Sequence, residues 1–245
     1  LLLRIDPDLV IVSNDETPLS LSVNATLKKT AKPLLEMTLI RLSEYPAAFM
    51  RMGKLLGRES RAGKLSDYTR KTLAEAAKTV AAIPPGKRVT VYYAEGADGL
   101  RTECDISRHN ELIELAGGIN VHRCTARNLF GMEQVSMEQV LLYDPEVILT
   151  MDRGFHRRVF KDPRWKRVRA VRNGKVYRIP DQPSNWFDRP PTFMRLIGLK
   201  WLLNCFYPQQ YHHDIVKEAQ DFFLLFLGIK VPDAEMKKII YDRNP

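Results

Sequence analysis

Short apolar runs predict four strands in this chain. They are Leu9–Val12 and the stretches RVTVYYAEG, EVILT and VYRIP, the last of which is stopped by Pro180. Each run is rich in β-branched, aliphatic or aromatic residues. Segments with helical spacing lie between them, and such alternation is typical of an α/β fold with a mainly parallel sheet.

Helical spacing and end signals predict the intervening helices. The pattern from Ala47 to Leu56 closes at Gly57. SRHNELIELAGG has Ser107 as its N-cap and two glycines as its stop. In SMEQVLLY, Ser136 and Gln139 have capping-box spacing. Residues 15–35 are interpreted as a loop with one short helical piece. The C-terminal extension is predicted to be helical over Thr192–Phe206, Asp214–Leu227 and Asp233–Tyr241.

The longest predicted helix covers residues 63–83 and divides the chain. Its sequence GKLSDYTRKTLAEAAKTVAA is rich in strong helix formers and precedes the stop signal IPPG. About 19 helical residues would span roughly 28 Å, enough for a rigid strut between two lobes. We therefore expect a first lobe over 1–62, the helix, and a C-terminal α/β lobe with terminal helices over 86–245.

One short phrase occurs on both sides of this helix. LLRIDPDLVIVSN near the start matches LLYDPEVILTMD at an offset of 138, so that Pro7 aligns with Pro145. A helix followed by Asp-Pro and a strand thus occurs twice, which suggests two lobes of similar build, although Asp-Pro is also a common way into a strand. Ligands of open α/β sheets bind beyond the carboxyl ends of the strands, so we expect the site there, in a cleft between the lobes.

The charge and the cysteines narrow the functional classes. The formal net charge is +9, and its Lys and Arg residues are interpreted as scattered, a solvated surface that could attract an anionic ligand or membrane but not a nucleic-acid site. The three cysteines show no CxxC; Cys104 and Cys124 could pair, but three unpaired buried thiols are favoured. No apolar run is long enough to cross a bilayer.

The sequence lacks the common motifs of enzyme active sites. GxSxG, the P-loop and GxGxxG do not occur, and the glycine turns AEGADGL and AGGIN lack the Lys and Ser/Thr of a phosphate cradle. We therefore expect no catalysis and no intrinsic cofactor. The alternative of another class is a redox metal-cluster enzyme built from similar lobes, which would need a cysteine pattern that the chain lacks.

Six phrases in order resemble a known family: DPDLVIV, VYYAEGADGL, HNELIELAGGINV, SMEQVLLYDPEVILTMD, DPRWKRVRAVRNGKVYRIP and NWFDRPPTFMRLIGLKWLLN. They are similar to the periplasmic substrate-binding proteins of ABC importers for iron–siderophore, haem and cobalamin (the class with a helical backbone), and to a molybdate-binding branch. The resemblance implies two Rossmann-like α/β lobes on one long helix, with most of the N-terminal lobe missing from this sequence. It also implies a monomer at the periplasmic or extracytoplasmic face, a metal chelate, most of all an iron–siderophore, as ligand, and a membrane permease as partner.

The resemblance also implies roles for individual residues. Glu138, seven residues before Pro145, would dock to basic residues of the permease, although a carboxylate there also suits the helix dipole. Arg108 and Arg153 would meet an anionic iron complex, because guanidinium stays charged and offers a planar fork of donors. Surface positions or ion pairs are equally compatible with both arginines.

Four more residues are weaker candidates for the ligand site. Trp186 lies where siderophore binders place an aromatic residue; it could stack on a ligand but could not coordinate iron. Glu95 follows a predicted strand and could line the cleft or cap a turn. His109 and His156, near strand-end loops, could ligate a metal left open by a chelator. Asp188 and Arg189 are interpreted as an ion pair that shapes their loop.

Overall fold

The protein has a mixed α/β fold with parallel sheets, as predicted. The computed structural model describes residues 2–13, 18–30, 32–124 and 132–241. The chain divides into two compact units, residues 1–70 and 71–245. The division falls within the long helix.

The first unit contains a two-stranded parallel sheet. Its elements are α1 (Leu2–Ile5), β1 (Val10–Ser13), α2 (Pro18–Leu27), β2 (Leu34–Met37), α3 (Tyr45–Leu56) and the first half of α4 (Glu59–Ala81). Val10 pairs with Leu34. The sequence analysis assigned no strand to β2, because its four residues include none that is β-branched or aromatic. α3 ends as predicted, at Gly57 in the left-handed conformation.

The long helix α4 has 23 residues, which corresponds to roughly 34 Å. It begins four residues before the predicted start and ends two residues before the predicted end. Its buried positions recur at helical spacing and are all small: Ala62, Ser66, Thr69, Thr72 and Ala76. Small side chains along one face let neighbouring elements approach the helix backbone closely.

The second unit is built on a four-stranded parallel sheet. Its elements are β3 (Thr90–Ala94), β4 (Arg101–Thr102), α5 (Glu111–Leu115), β5 (Ile119–Asn120), β6 (Glu133–Gln134), α6 (Met137–Tyr143), β7 (Val147–Thr150), α7 (Arg153–Val159), α8 (Arg169–Arg172), β8 (Val176–Arg178), α9 (Arg195–Phe206), α10 (Ile215–Leu227) and α11 (Asp233–Tyr241). The strand order is β5-β3-β7-β8, and β4 pairs with β6 in a separate antiparallel ribbon. The three strands predicted in this unit, β3, β7 and β8, are thus confirmed, and the two-residue strands were too short to predict.

The predicted caps are present in this unit. Ser136 Oγ accepts a hydrogen bond from the backbone N–H of Gln139, and Ser107 Oγ accepts one from that of His109. The helix predicted after Ser107 is split into a 3₁₀ turn and the short α5. Helices α9 and α10 begin three and one residues later than predicted, and α11 has the predicted bounds. None of the described helices combines the length and apolar character that crossing a bilayer requires.

The core of the second unit lies on both faces of its sheet. Alternate residues of the strands, such as Tyr92, Ile148 and Val176, pack with α6, α7, α8 and the buried Trp165. On the other face, Tyr93 contacts Phe187 at a ring distance of 5.0 Å. Because both faces are covered, all four residues of β7 are buried, which explains its continuous apolar run.

A disulfide joins Cys104 to Cys124. The prediction of three unpaired thiols was therefore wrong for two of them, and the alternative pairing is the one found. Spacing alone could not decide this, since the two cysteines are 20 positions apart in the sequence and meet only through the fold of the chain between them. The bridge also removes these two thiolates as ligands for a metal cluster. Cys205 is free, and burial raises the pKa of its thiol.

The loop before α9 packs tightly against that helix. A Cβ at Gly198 would lie 1.7 Å from the carbonyl oxygen of Trp186. The indole of Trp186 is fully buried beside Phe223, with its Nε1–H donating to the carbonyl oxygen of Gln182 at 2.9 Å. A residue without a side chain is therefore needed at position 198 for the loop to reach its place.

Gly198→Ala should destabilise the protein by roughly 2 kcal/mol or more, because the methyl group can be accommodated only by moving backbone. The measurement is the free energy of unfolding from urea denaturation followed by circular dichroism. Gly63→Ala is the matched control: it lies within α4 with no atom within 4 Å of its new Cβ. We expect that variant to gain about 0.5–1 kcal/mol from helix propensity. Equal stability of the two variants would contradict the close approach at Gly198.

Candidate functional site

Three parallel strands present their carboxyl ends at one edge of the second unit's sheet. The chain leaves β3 at Glu95, β7 at Met151 and β8 at Ile179. Loops at this edge are where open α/β sheets bind their ligands. The polar residues of these loops therefore define the candidate site.

Two buried glutamates lie beside the end of β3. The backbone N–H of Glu95 donates to the carbonyl oxygen of Arg101 at 2.8 Å, which folds the chain back so that Glu103 follows close by. Glu103 is fully buried, and Ser107 Oγ donates to its Oε2 at 2.7 Å. Glu95 is 5% exposed and shares a hydrogen bond with the Glu103 carboxyl group. Two carboxyl groups thus occupy one site of low polarity.

Arg189 supplies the positive charge for this pair. Its guanidinium bonds the Glu103 carboxylate, with its Nε 3.3 Å from Glu95 Oε1 and 3.5 Å from Asp188 Oδ2. The Arg189 side chain is 30% exposed, so the guanidinium is oriented by carboxylates behind it and keeps an edge in solvent. We call this group and its direct partners the Arg189 cluster: Arg189, Glu95, Glu103, Asp188, Tyr93 and His109.

Asp188 is fixed by three other residues. The Tyr93 hydroxyl donates to its Oδ1 at 3.1 Å, and His109 Nδ1 lies 2.9 Å from its Oδ2. Its backbone N–H donates to Asn185 Oδ1 at 2.9 Å. The burial of Tyr93, followed by the charge of Asp188, raises the pKa of the phenol well above its usual value, so Tyr93 remains a donor.

The protonation of Glu95 is set by its surroundings. Burial, and next the charge of Glu103, raises its pKa to about 8, against the opposing effect of Arg189. The carboxyl group is therefore mostly protonated at neutral pH, and its buried Oε2 receives no hydrogen bond from any described residue. Below that pKa, Glu95 is a hydrogen-bond donor beside a guanidinium, and above it the cluster carries one more negative charge.

A second ionic group lies at the ends of β7 and β8. Asp181 pairs with Arg178 at 3.0 Å and with Arg153 at 3.5 Å. Arg153 is the first residue of α7, three residues after the end of β7, and its side chain is 49% exposed. His156, one turn further along, faces the carbonyl oxygen of Val176 from Nε2 at 3.3 Å.

Of the remaining residues predicted to have a functional role, one belongs to the Arg189 cluster and the others lie outside it. His109 joins the Arg189 cluster, while its neighbour Arg108 is half-buried at the start of the 3₁₀ turn and contributes none of the cluster's contacts described above. Trp186 is fully buried, so its ring offers no surface on which a ligand could stack in this conformation. Glu138 is exposed in the first turn of α6, where hydrogen bonds from its own backbone and from Ser136 lower its pKa.

Sequence reasoning missed two members of the cluster and undervalued a third. Glu103 lies between a two-residue strand and a 3₁₀ turn, without a periodic signal that marks it as buried. Tyr93 follows Tyr92 in a strand whose last four residues are all buried, so alternation could not tell which tyrosine faces the site. Arg189 was interpreted only as a partner of Asp188, although an arginine directly before two prolines, in a loop after a predicted strand, was a usable signal.

Comparisons with known proteins place the chain in a family. A profile described as periplasmic binding protein matches residues 1–183. The chain is 32% identical to the molybdate-binding protein MolA of Haemophilus influenzae over 166 residues, which is 66% of the chain and 45% of MolA. It therefore spans less than half of the length of that relative.

Solved structures agree with this result. An ABC transporter solute-binding protein from Sulfurospirillum deleyianum superposes with a TM-score of 0.91 and 38% identity over 98% of this chain and 74% of that one. The vitamin B12-binding protein BtuF of Vibrio cholerae has a TM-score of 0.66 at 20% identity, over 84% of this chain and 78% of its own, which shows a shared fold alone. The chain belongs to the periplasmic binding protein family.

Proposed function

We propose that the protein is the extracytoplasmic solute-binding component of an ABC importer and binds an anionic solute at the carboxyl edge of its second unit. Membership of the family and the likeness to the Sulfurospirillum protein support the class. The Arg189 cluster is the observation that carries the site: a partly exposed guanidinium held at a sheet edge by three acidic side chains. The solute is bound and released without covalent change.

An oxyanion of the molybdate or tungstate type is the first candidate ligand. The MolA relative supports it by name. The chemistry of the site also supports it, because a guanidinium and a protonated carboxyl group are both donors that can approach a compact oxyanion from one side. The acidic groups behind Arg189 then serve to orient the guanidinium and to limit its net charge.

An anionic iron–siderophore complex is the second candidate. Arg153 favours it, because this exposed guanidinium at the same edge suits a larger anion that reaches beyond the Arg189 cluster. Cobalamin and haem have no comparable support, since the likeness to the vitamin B12-binding protein is one of fold. One calorimetric series with molybdate, tungstate, a ferric tris-catecholate, a ferric hydroxamate and cobalamin separates these candidates.

The proposed partner is the membrane permease of the importer, with Glu138 as a docking residue. Its carboxylate is fully exposed at the start of α6 and points away from the protein core. An exposed, ionised carboxylate is the group that basic residues of a permease could bind. The helix dipole also favours a carboxylate in this turn, so the two roles are compatible.

Replacing Arg189 should abolish tight binding of the ligand. Arg189→Lys keeps the charge but removes the planar fork, and we expect the affinity for molybdate to fall by roughly tenfold to a hundredfold, the range of one charge-assisted hydrogen bond. Isothermal titration calorimetry measures it. Arg70→Gln, on the exposed face of α4, is the control and should bind as the wild type does. Unchanged affinity in a folded Arg189→Lys variant would remove this residue from the site.

Binding of an anion should weaken as the pH rises through about 8, where Glu95 ionises next to Glu103 and Arg189. Its deprotonation removes a donor and adds a negative charge, so affinity is highest below this pH. Glu95→Gln keeps a donor that does not titrate, and its affinity should be nearly level from pH 6 to about 9. Comparing the two proteins with the same ligand cancels the ligand's own protonation. Parallel pH profiles would show that another group is responsible.

Glu138→Gln should leave ligand affinity unchanged and reduce the stimulation of the permease's ATPase activity severalfold. The carboxylate is exposed and lies outside the Arg189 cluster, so only docking should respond. Glu235→Gln, also exposed in the first turn of a helix, provides the matched control. Full stimulation by the Glu138 variant would leave the residue with its role at the helix end alone.

A further inference from the structure

The positive charge of the protein is concentrated in one segment. Residues 153–175 contain ten of the 38 Lys and Arg residues and one of the 29 Asp and Glu residues. The rest of the chain therefore has 28 residues of each sign and is formally neutral. The interpretation of a scattered excess was wrong: the entire +9 is carried by 23 consecutive residues.

This segment forms a layer over one face of the second unit's sheet. It comprises α7, the 3₁₀ turn Trp165–Arg167 and α8. Its apolar residues, among them Phe155, Trp165 and Val168, are buried in the core against the strands. Because the inner side of the layer is apolar, its cations lie on the solvent side. We call the exposed ones the basic layer: Arg153, Arg157, Arg158, Lys161, Arg164, Lys166, Arg167, Arg172 and Lys175.

Most of the basic layer has no acidic partner. Arg153, Arg164 and Arg172 lie within 4 Å of carboxylates, from Asp181, Asp162 and Asp144. The other six cations form no ion pair with any described residue, and Arg158 donates to the carbonyl oxygen of Ala97 instead. Like charges at this density repel one another, so they add nothing to the stability of the fold. Binding to an anionic partner outside the chain would account for the concentration of these cations in one layer.

One exposed aromatic ring lies within the basic layer. Phe160 is 37% exposed and sits between Arg157 and Lys161, with its ring edge-on to His156 at 5.8 Å. An exposed apolar ring among basic residues is a combination found on protein surfaces that bind the interface of an anionic bilayer. There the ring enters the interface while the charged ends of Lys and Arg remain among the headgroups.

We propose that the basic layer binds the anionic phospholipid surface of a membrane. Each basic residue near such a surface strengthens binding by roughly fivefold, and the attraction fades within a Debye length. A nucleic acid fits less well, because the layer presents a single exposed ring rather than the several stacking platforms of a single-strand groove. Attraction to the bilayer would keep the protein near a membrane partner, whichever solute it carries.

The test is sedimentation of the protein with vesicles of phosphatidylcholine alone and of phosphatidylcholine mixed with phosphatidylglycerol. We expect binding only to the anionic vesicles, at about 0.1 M salt, and release at about 1 M. Combined replacement of Arg157, Lys161, Lys166 and Arg167 by Gln should reduce the partition coefficient at least tenfold. Phe160→Ser should reduce it by a smaller factor that does not depend on salt.

A control variant removes the same charge from another surface. Lys64, Lys78, Lys237 and Lys238 are exposed on α4 and α11, and their replacement by Gln also lowers the net charge by four. Partition of this variant within twofold of the wild type supports a specific face, whereas equal losses in the two variants would reduce the effect to net charge and overturn the proposal. Binding of duplex DNA at the same salt, tighter than binding to anionic vesicles and abolished by the same four replacements, would overturn it in favour of nucleic acid. Circular dichroism confirms that each variant is folded.

Discussion

The contact between Arg189 and the carboxyl groups of Glu95, Glu103 and Asp188 is the constraint on which the candidate site depends. These four groups come from two stretches that are distant in sequence, residues 95–103 and 188–189, and all the acids are nearly or fully buried. A buried carboxylate is tolerated only with a counter-charge and hydrogen bonds, and removal of one partner from such a group costs about 3–5 kcal/mol. The loops therefore have to arrive together for any of them to be stable in place.

The surrounding fold holds these loops in place through a disulfide, a hydrogen bond and close packing against a helix. The disulfide to Cys124 anchors the residue next to Glu103, and Ser107 bonds its carboxylate. The loop that carries Asp188 and Arg189 is seated on α9 by the close approach at Gly198. Similar pairing recurs away from the site, where the buried Lys200 lies between Glu75 and Glu218. Buried charge in the second unit is thus matched locally, and its helices are positioned by these pairs as well as by apolar packing.

Sequence patterns predicted the elements but not the cluster. Strands such as Val147–Thr150 can be predicted because both faces are buried and the residues are β-branched or aliphatic. Glu95 could be proposed because it follows a predicted strand, and His109 because it lies near a predicted strand-end loop. Glu103 could not, since its burial depends on a disulfide and on Arg189, which lies 86 residues away. The pairing of Cys104 with Cys124 could not be predicted either, because it also depends on contacts between segments that are separated in sequence. Contacts between distant loops are fixed by tertiary packing, which leaves no periodic trace in the sequence.

The distribution of charge separates two kinds of surface in one protein. At the sheet edge, Arg189 is surrounded by acids and is partly exposed, so its charge is focused on a small region and tuned by the proton on Glu95. In the basic layer, six cations face solvent with no acidic partner among the described residues, and their charge extends over a wide area. The first arrangement favours selection of a compact solute, because affinity depends on atomic geometry. The second favours attraction to an extended anionic surface, because the weak electrostatic attractions of many cations add up without requiring a fixed geometry. Under the two proposals, solute selection would use the first kind of surface and attraction to a membrane the second, and Arg153 at the start of α7 belongs to both.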